Sequence, residues 1–205
     1  MTMKRLLYIV GLFSLGAMVL NIGRLGLADN LSYAWLNWNL FLALVPIFFA
    51  WLFMYVKNVY VKLLAFILWL GFLPNSPYIV TDFIHLADVG PRSILWYDGI
   101  MIFLYTIAGM VSWIGTSHLI KKHMNWGYWF ICIIGVLSGF GIYLGRYIRF
   151  NTWDVVRDPN NLFMTVHEAV LQPALHKPVV LMSVTFTFIF ILFMAIPTIY
   201  EKTKN

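Results

Sequence analysis

Six long apolar stretches follow one another along this chain, and they constrain its fold more than any other feature. Most of them approach or exceed the roughly 20 residues that an α-helix needs to cross a bilayer. In lipid the backbone must satisfy its own hydrogen bonds, so spans of this length favour α-helices. The predicted spans are Leu6 to Ile22, Trp38 to Val56, Lys62 to Leu86, Ile94 to Leu119, Gly127 to Tyr147, and Val179 to Tyr200.

The composition excludes a water-soluble globule. Hydrophobic residues make up 61% and charged residues 11% of the chain, whereas soluble domains carry about 25% charged residues. The sequence therefore predicts an all-α polytopic helix bundle that forms one integral-membrane domain over residues 1–205. Its basic residues lie near span ends and form no polar stripe, which favours contact with membrane lipids and argues against nucleic-acid binding.

Lysines predict the orientation of the spans. Lys4, Lys57, Lys62, Lys121 and Lys122 fall at span ends or in short connections that share one side in a six-span arrangement. Short cytoplasmic connections are enriched in Lys and Arg. We therefore expect a multi-pass protein of the cell membrane with both termini in the cytoplasm.

The third predicted span contains a break, because Pro74 and Pro77 lie too close together for a continuous helix. Ser76 is suited to cap a new helix and Pro77 to occupy its first position. The restarted half then runs from Pro77 to Leu86. Non-helical backbone at membrane depth is buried in protein or lines a cavity, so both a packing kink and a functional cavity fit the pattern.

Polar residues recur along the restarted half. Asn75, Tyr78, Asp82 and His85 are spaced by three, four and three residues, which predicts one shared helical face. Ionisable side chains are costly in lipid, so this polar stripe is expected to face the protein interior and to need partners. Asp98, near the start of the fourth span, is predicted at a similar depth.

The outer end of the fifth span adds a pair of arginines. Arg146 and Arg149 are three residues apart, which predicts that both guanidinium groups lie on one helical face, where they suit a phosphate or carboxylate. The long loop from Phe150 to Pro178 has helical apolar spacing from Leu162 to Val170, which predicts an interfacial amphipathic helix.

Three segments resemble a known family. They are LPNSPYIVTD at Leu73 to Asp82, WYD at Trp96 to Asp98, and GRYIRFNTWD at Gly145 to Asp154. In this order they are similar to the hallmark segments of the uncharacterised bacterial integral-membrane family catalogued as domain of unknown function 1361. The resemblance implies a multi-span membrane protein and brings no established activity.

Two functions and one structural interpretation fit these residues. In the first, Asp82, His85 and Asp98 are catalytic and, with His167, bind Zn²⁺ or another divalent metal in a hydrolase or transferase acting on an anionic lipid or lipid-linked substrate. The substrate-binding residues would be Asn75, Tyr78, Arg146, Arg149, Asn151 and Asp154. In the second, the same groups bind a lipid headgroup or solute, transport a solute, or bind a membrane partner, without chemistry. Structurally, Asp82 or Asp98 pairs with Arg146 in an ion network.

Overall fold

The computed structural model describes residues 1–28, 33–86, 92–150, 154–172 and 177–202, and within them the chain forms helices and no β-strand. In this part of the chain, six helical stretches are long and apolar enough to cross a membrane. They are Met3–Leu27, Trp35–Tyr55, Val59–Leu86, Leu95–Met124, Trp129–Ile148 and Lys177–Met194. Each overlaps one predicted span, so the all-α, multi-pass fold is confirmed.

The chain divides into two compact units, unit 1 at Met1–His123 and unit 2 at Met124–Asn205. The helices that begin in unit 1 are α1 Met3–Ala28, α2 Trp35–Tyr55, α3 Val59–Phe72, α4 Asn75–Tyr78 and α5 Leu95–Met124. A 3-10 helix, Ile79–Leu86, follows α4, and a shorter one, Arg92–Ile94, precedes α5. Those of unit 2 are α6 Trp129–Tyr143, α7 Asp154–Arg157, α8 Pro159–Leu171 and α9 Lys177–Lys202. The single domain expected over residues 1–205 stays a prediction.

The third span is broken where the sequence predicts it. α3 ends at Phe72 and α4 begins at Asn75, with a turn between them. The Asn75 amide nitrogen donates to the carbonyl of Phe72 at 3.0 Å. It therefore satisfies one of the backbone acceptors that a helix leaves open at its carboxyl end.

Three details of the restart were predicted wrongly. Pro77 is the third residue of α4 and not the first, because α4 begins at Asn75. Ser76 does not cap α4, because Pro74 occupies the capping position and Ser76 donates its hydroxyl to another helix. The restarted half is also not an α-helix throughout, since it becomes a 3-10 helix at Ile79–Leu86. Several residues of this segment are β-branched, which weakens the α-helix. A 3-10 helix has about three residues per turn, so Ile79, Asp82 and His85 align along it instead of the predicted stripe.

The break packs against the middle of α2 and α5. Ser76 and Ser112 both donate to the carbonyl oxygen of Ala43, at 2.6 and 2.8 Å. Pro46 stands inside α2 just beyond this carbonyl, where its ring disturbs the preceding helical turn. On α5, a Cβ at Gly109 would collide with the backbone carbonyl of Ser76. The hydroxyl groups of Ser76 and Ser112 thus stabilise the break, and Gly109 leaves room for its backbone.

Unit 2 is built on close contact between α6 and α9. Gly135 and Gly139 lie one turn apart on α6, and a Cβ at either would meet backbone atoms of α9, at Thr187 and Ser183 respectively. Small residues at this spacing let membrane helices approach closely. The helix predicted in the long loop is present as α8, Pro159–Leu171, with Asp158 accepting from the backbone N–H of Asn161 at 3.4 Å. Its predicted place at a membrane interface stays a prediction.

Candidate functional site

Polar side chains converge at the end of unit 1 where α1 ends, α2 begins, the long 3-10 helix ends and α5 begins. We call this region the polar end. It comprises Asn21, Arg24, Tyr33, Trp35, Asn37, Asn39, Asp82, His85, Tyr97, Asp98 and Tyr105. Asp82 and His85 on the long 3-10 helix and Asp98 on α5 lie at this end, where hydrogen bonds connect α1 to α5 and α2 to the 3-10 helix. Their predicted joint role as one site stays a prediction.

A buried ion pair joins α1 to α5. Arg24 Nε donates to Asp98 Oδ1 at 2.6 Å, and Arg24 Nη2 donates to Asp98 Oδ2 at 3.1 Å. The two side chains are 1% and 0% exposed, so the two-pronged geometry replaces the hydration that both charges have lost. The guanidinium carbon also lies 4.5 Å from the ring centroid of Tyr33, a cation–π contact.

Asparagine and tyrosine side chains form hydrogen bonds around this ion pair. Asn21 donates to the carbonyl of Tyr33 and to the hydroxyl of Tyr105, both at 3.0 Å. The Tyr105 hydroxyl in turn donates to Asn37 Oδ1 at 2.6 Å. Tyr97 donates to the carbonyl of Leu20 at 2.7 Å. These hydrogen bonds connect α1, α2 and α5 to one another, so the three helices form a rigid scaffold.

Asp82 and His85 occupy a second part of the polar end. Asp82 is fully buried and accepts from the amide of Asn39 at 3.0 Å. His85 is half-buried, and its ring meets the edge of Trp35 at a centroid distance of 5.2 Å. Tyr33 donates its hydroxyl to the carbonyl of His85 at 3.2 Å, which ties this part to the ion pair. The carboxylate thus lies inside, and the imidazole lies nearer the surface.

The predicted metal site has no support among the described residues, where no three His, Cys, Asp or Glu side chains are grouped to hold an ion. Asp98 has both oxygens engaged by Arg24, so it would have to leave its ion pair to become a ligand. Asn75 binds the end of α3, while Tyr78 is half-buried beside it. The metal assignment of Asp82, His85, Asp98 and His167 stays a prediction.

The remaining predicted residues belong to unit 2. Arg146 is half-buried in a π-helical turn, Leu144–Ile148, and Arg149 is exposed beyond it with a φ of 65°. The helical spacing used to place both guanidinium groups on one face was therefore wrong, because the helix widens and then ends between them.

Asp154 begins α7 and is half-buried, and His167 is exposed on α8. Asn151 lies outside the described residues. The predicted pairing of Asp82 or Asp98 with Arg146 stays a prediction.

Sequence reasoning missed Arg24 and Asn39. The first span was predicted to end at Ile22, which placed Arg24 in a loop, but α1 continues to Ala28 and turns this residue inward. Its isolation within an apolar helix was the available signal, since charges inside spans are normally paired. Asn37 and Asn39 stand among apolar residues at the start of α2, a similar signal.

Comparison with known proteins gives one match. The model of the family described as "Protein of unknown function (DUF1361)" matches residues 38–193, which include the broken span, the start of α5 and the π-helical turn. No curated protein matches this chain. No solved structure matches it either. Because the family model covers well over half of the sequence, the chain belongs to the DUF1361 family of proteins of unknown function.

Proposed function

We propose that this membrane protein binds a small polar solute or a lipid headgroup at the polar end of unit 1, without breaking a bond in it. Asn39 and His85, both half-buried, contact the ligand, and Trp35 forms an aromatic wall beside it. The ligand reaches the fully buried Asp82 when the His85 side chain moves aside. Arg24 and Asp98 hold the scaffold. The observation that carries the proposal is the full burial of Asp82 in a membrane span, with Asn39 as hydrogen-bond donor.

The Asp82 carboxylate is fully buried within a membrane span, and this placement points to a function. Burying an ionisable group within a span is expensive, and groups of this kind usually mark a ligand or ion pathway. The 3-10 helix that carries Asp82 follows a broken helix, and ligand sites in membrane proteins commonly use such interrupted helices. Asp98 already has a structural role with Arg24, so Asp82 is the buried acid placed beside the half-buried His85.

The chemistry of these side chains indicates the ligand class. A carboxylate accepts hydrogen bonds, an imidazole can donate or accept, and an indole offers an apolar face. This combination suits a ligand with hydroxyl or amine donors on a compact head. The anionic lipid predicted from Arg146 and Arg149 would require unit 2 and stays a prediction.

The metal-dependent hydrolase or transferase is not favoured by the described residues. Its three catalytic candidates would have to act together, yet Asp98 is engaged by Arg24 through both oxygens. Freeing Asp98 for a metal would leave a buried guanidinium without its counter-charge, at a cost of about 3 kcal/mol or more.

Ligand-induced stabilisation tests the proposal. Full-length protein in mild detergent is titrated with the polar lipid extract of the membranes from which it was purified, and its thermal midpoint is recorded. A ligand that binds only the folded state raises the free energy of unfolding, by about 2.7 kcal/mol when its concentration is a hundred times its Kd. The thermal midpoint rises with it. Asp82→Asn should show a smaller increase than the wild type, because the amide keeps one acceptor oxygen but loses the negative charge that strengthens a hydrogen bond from the ligand.

Asp158→Asn is the matched control, since it makes the same chemical change at an exposed site. It should keep the full increase. An Asp82→Asn protein that also keeps it would overturn the proposed site. Lipids recovered with altered masses after incubation with the wild-type protein would overturn binding without chemistry.

A further inference from the structure

The end of unit 1 opposite the polar end is strongly basic. Its Lys and Arg residues lie at the start of α1, between α2 and α3, at the start of α3 and at the end of α5. We call them the basic end, and they are Lys4, Arg5, Lys57, Lys62, Lys121 and Lys122. The sequence has no Asp or Glu in residues 1–28, 47–81 or 99–123, so no acidic residue in these segments offsets the charge.

Contacts within unit 1 show that these helix ends meet. Met3 and Leu6 of α1 share a buried apolar cluster with Ile47 of α2 and Leu119 of α5. Phe53, near the end of α2, packs against the ring of His123 with centroids 5.7 Å apart. The basic residues therefore surround a packed core and are not spread along separate helices.

Lys62 is held in place at this end. Its Nζ lies 3.2 Å from Nε2 of His123 and 5.0 Å from the ring centroid of Phe53. An ammonium group has donors and no acceptor, so Lys62 donates to the imidazole nitrogen and keeps two further N–H groups. A lysine fixed by two contacts loses little additional side-chain entropy when it binds an anion.

We propose that Lys62 and His123 form a phosphate-binding site, and that the phosphate belongs to an anionic lipid in the adjoining headgroup layer. Exposed side chains with large apolar surfaces in the same turns of α3 favour a lipid source over free phosphate, since Val59, Tyr60 and Leu63 are 67%, 80% and 58% exposed. These surfaces can pack against acyl chains while Lys62 binds the headgroup. Lys121 and Lys122, in the last turns of α5, add attraction for negative charge.

The test measures lipid affinity of the full-length protein in mild detergent, by native mass spectrometry with short-chain phosphatidylglycerol as the anionic probe. Phosphatidylcholine, which has the same phosphate without net charge, and inorganic phosphate are the comparison ligands. The proposal expects phosphatidylglycerol to bind most tightly. Equal binding of phosphatidylcholine would overturn it, and inorganic phosphate that displaces phosphatidylglycerol at similar concentration would overturn the lipid source.

Three variants separate a defined site from diffuse surface charge. Lys57→Gln is the control, because Lys57 is exposed at the same end and its loss removes one charge. Lys62→Gln should weaken phosphatidylglycerol binding about tenfold more than the control does, since it also loses a charge-assisted hydrogen bond. Equal effects of the two lysine variants would contradict the site.

His123→Ala provides a readout that does not depend on removing a lysine. His123 is exposed, so the variant should fold, and it removes no Lys or Arg charge. Diffuse attraction predicts no change in affinity for phosphatidylglycerol. The proposed site predicts a loss of about fivefold, because Lys62 is no longer held in position. This inference is independent of the ligand proposed for the polar end.

Discussion

At the polar end, Arg24 and Asp98 hold opposite charges almost completely out of solvent. Removing one partner leaves the other charge buried and uncompensated, which costs about 3 to 5 kcal/mol in comparable sites. We predict that Asp98→Asn lowers the free energy of unfolding by at least about 3 kcal/mol. Equilibrium unfolding in mixed detergent measures this loss.

A second variant checks the cause. Arg24→Met combined with Asp98→Leu removes both charges and keeps apolar volume, so it should recover most of the stability lost in Asp98→Asn. A double variant less stable than Asp98→Asn would show that the pair contributes more than charge balance.

Asn75 should also tolerate replacement poorly. In Asn75→Leu, the carbonyl of Phe72 loses the hydrogen bond that closes the end of α3. Loss of the partner of an acceptor within a membrane span costs about 1 to 3 kcal/mol. The same unfolding measurement should show a loss of this size, and unchanged stability would mean that water satisfies the break.

Single residues show where sequence reasoning succeeds and where it stops. The burial of Asp82 and Asp98 follows from their place in apolar spans, because such groups avoid lipid. Their partners do not follow, since Arg24 lies 74 positions before Asp98 and Asn39 lies 43 before Asp82. Only the packing of α1 on α5, and of α2 on the 3-10 helix Ile79–Leu86, brings these residues together.

Gly109 of α5 leaves room for the backbone of the broken third span. A Cβ at this position would meet the backbone carbonyl of Ser76, which cannot rotate away as a side chain could. We predict that Gly109→Ala destabilises unit 1 by about 1 to 3 kcal/mol, as overpacking does elsewhere.

Gly11→Ala is the matched control, because a Cβ there meets nothing within 4 Å. It should be neutral or stabilising by up to about 1 kcal/mol, since alanine favours the helix over glycine. If both variants unfold alike, the close contact at Ser76 does not matter.

The break itself was predictable because Pro74 and Pro77 cannot both join one helix. The kind of helix that follows was not. The spacing of Asn75, Tyr78, Asp82 and His85 fits an α-helix, yet the chain changes to a 3-10 helix at Ile79–Leu86. Periodicity alone does not record this change, because i and i+3 residues share a face in both helices. The same limit applies to Arg146 and Arg149, where a π-helical turn intervenes.

Six spans determine which connections share a side of the membrane. Single cysteines introduced as Lys57→Cys and Lys122→Cys, in a Cys132→Ser background, should label from one side. Arg92→Cys and Asp158→Cys should label from the other. We expect the lysine side to be cytoplasmic. Labelling of Lys122→Cys and Asp158→Cys from the same side would contradict six spans.

We infer that Asp82 contacts a ligand while Asp98 stabilises the fold. Native mass spectrometry of the full-length protein, released gently from its own membrane, tests this by counting the small molecules bound per chain. We predict a bound species on the wild-type protein that is absent from a folded Asp82→Asn variant. The same species retained at equal occupancy by Asp82→Asn would contradict this role of Asp82.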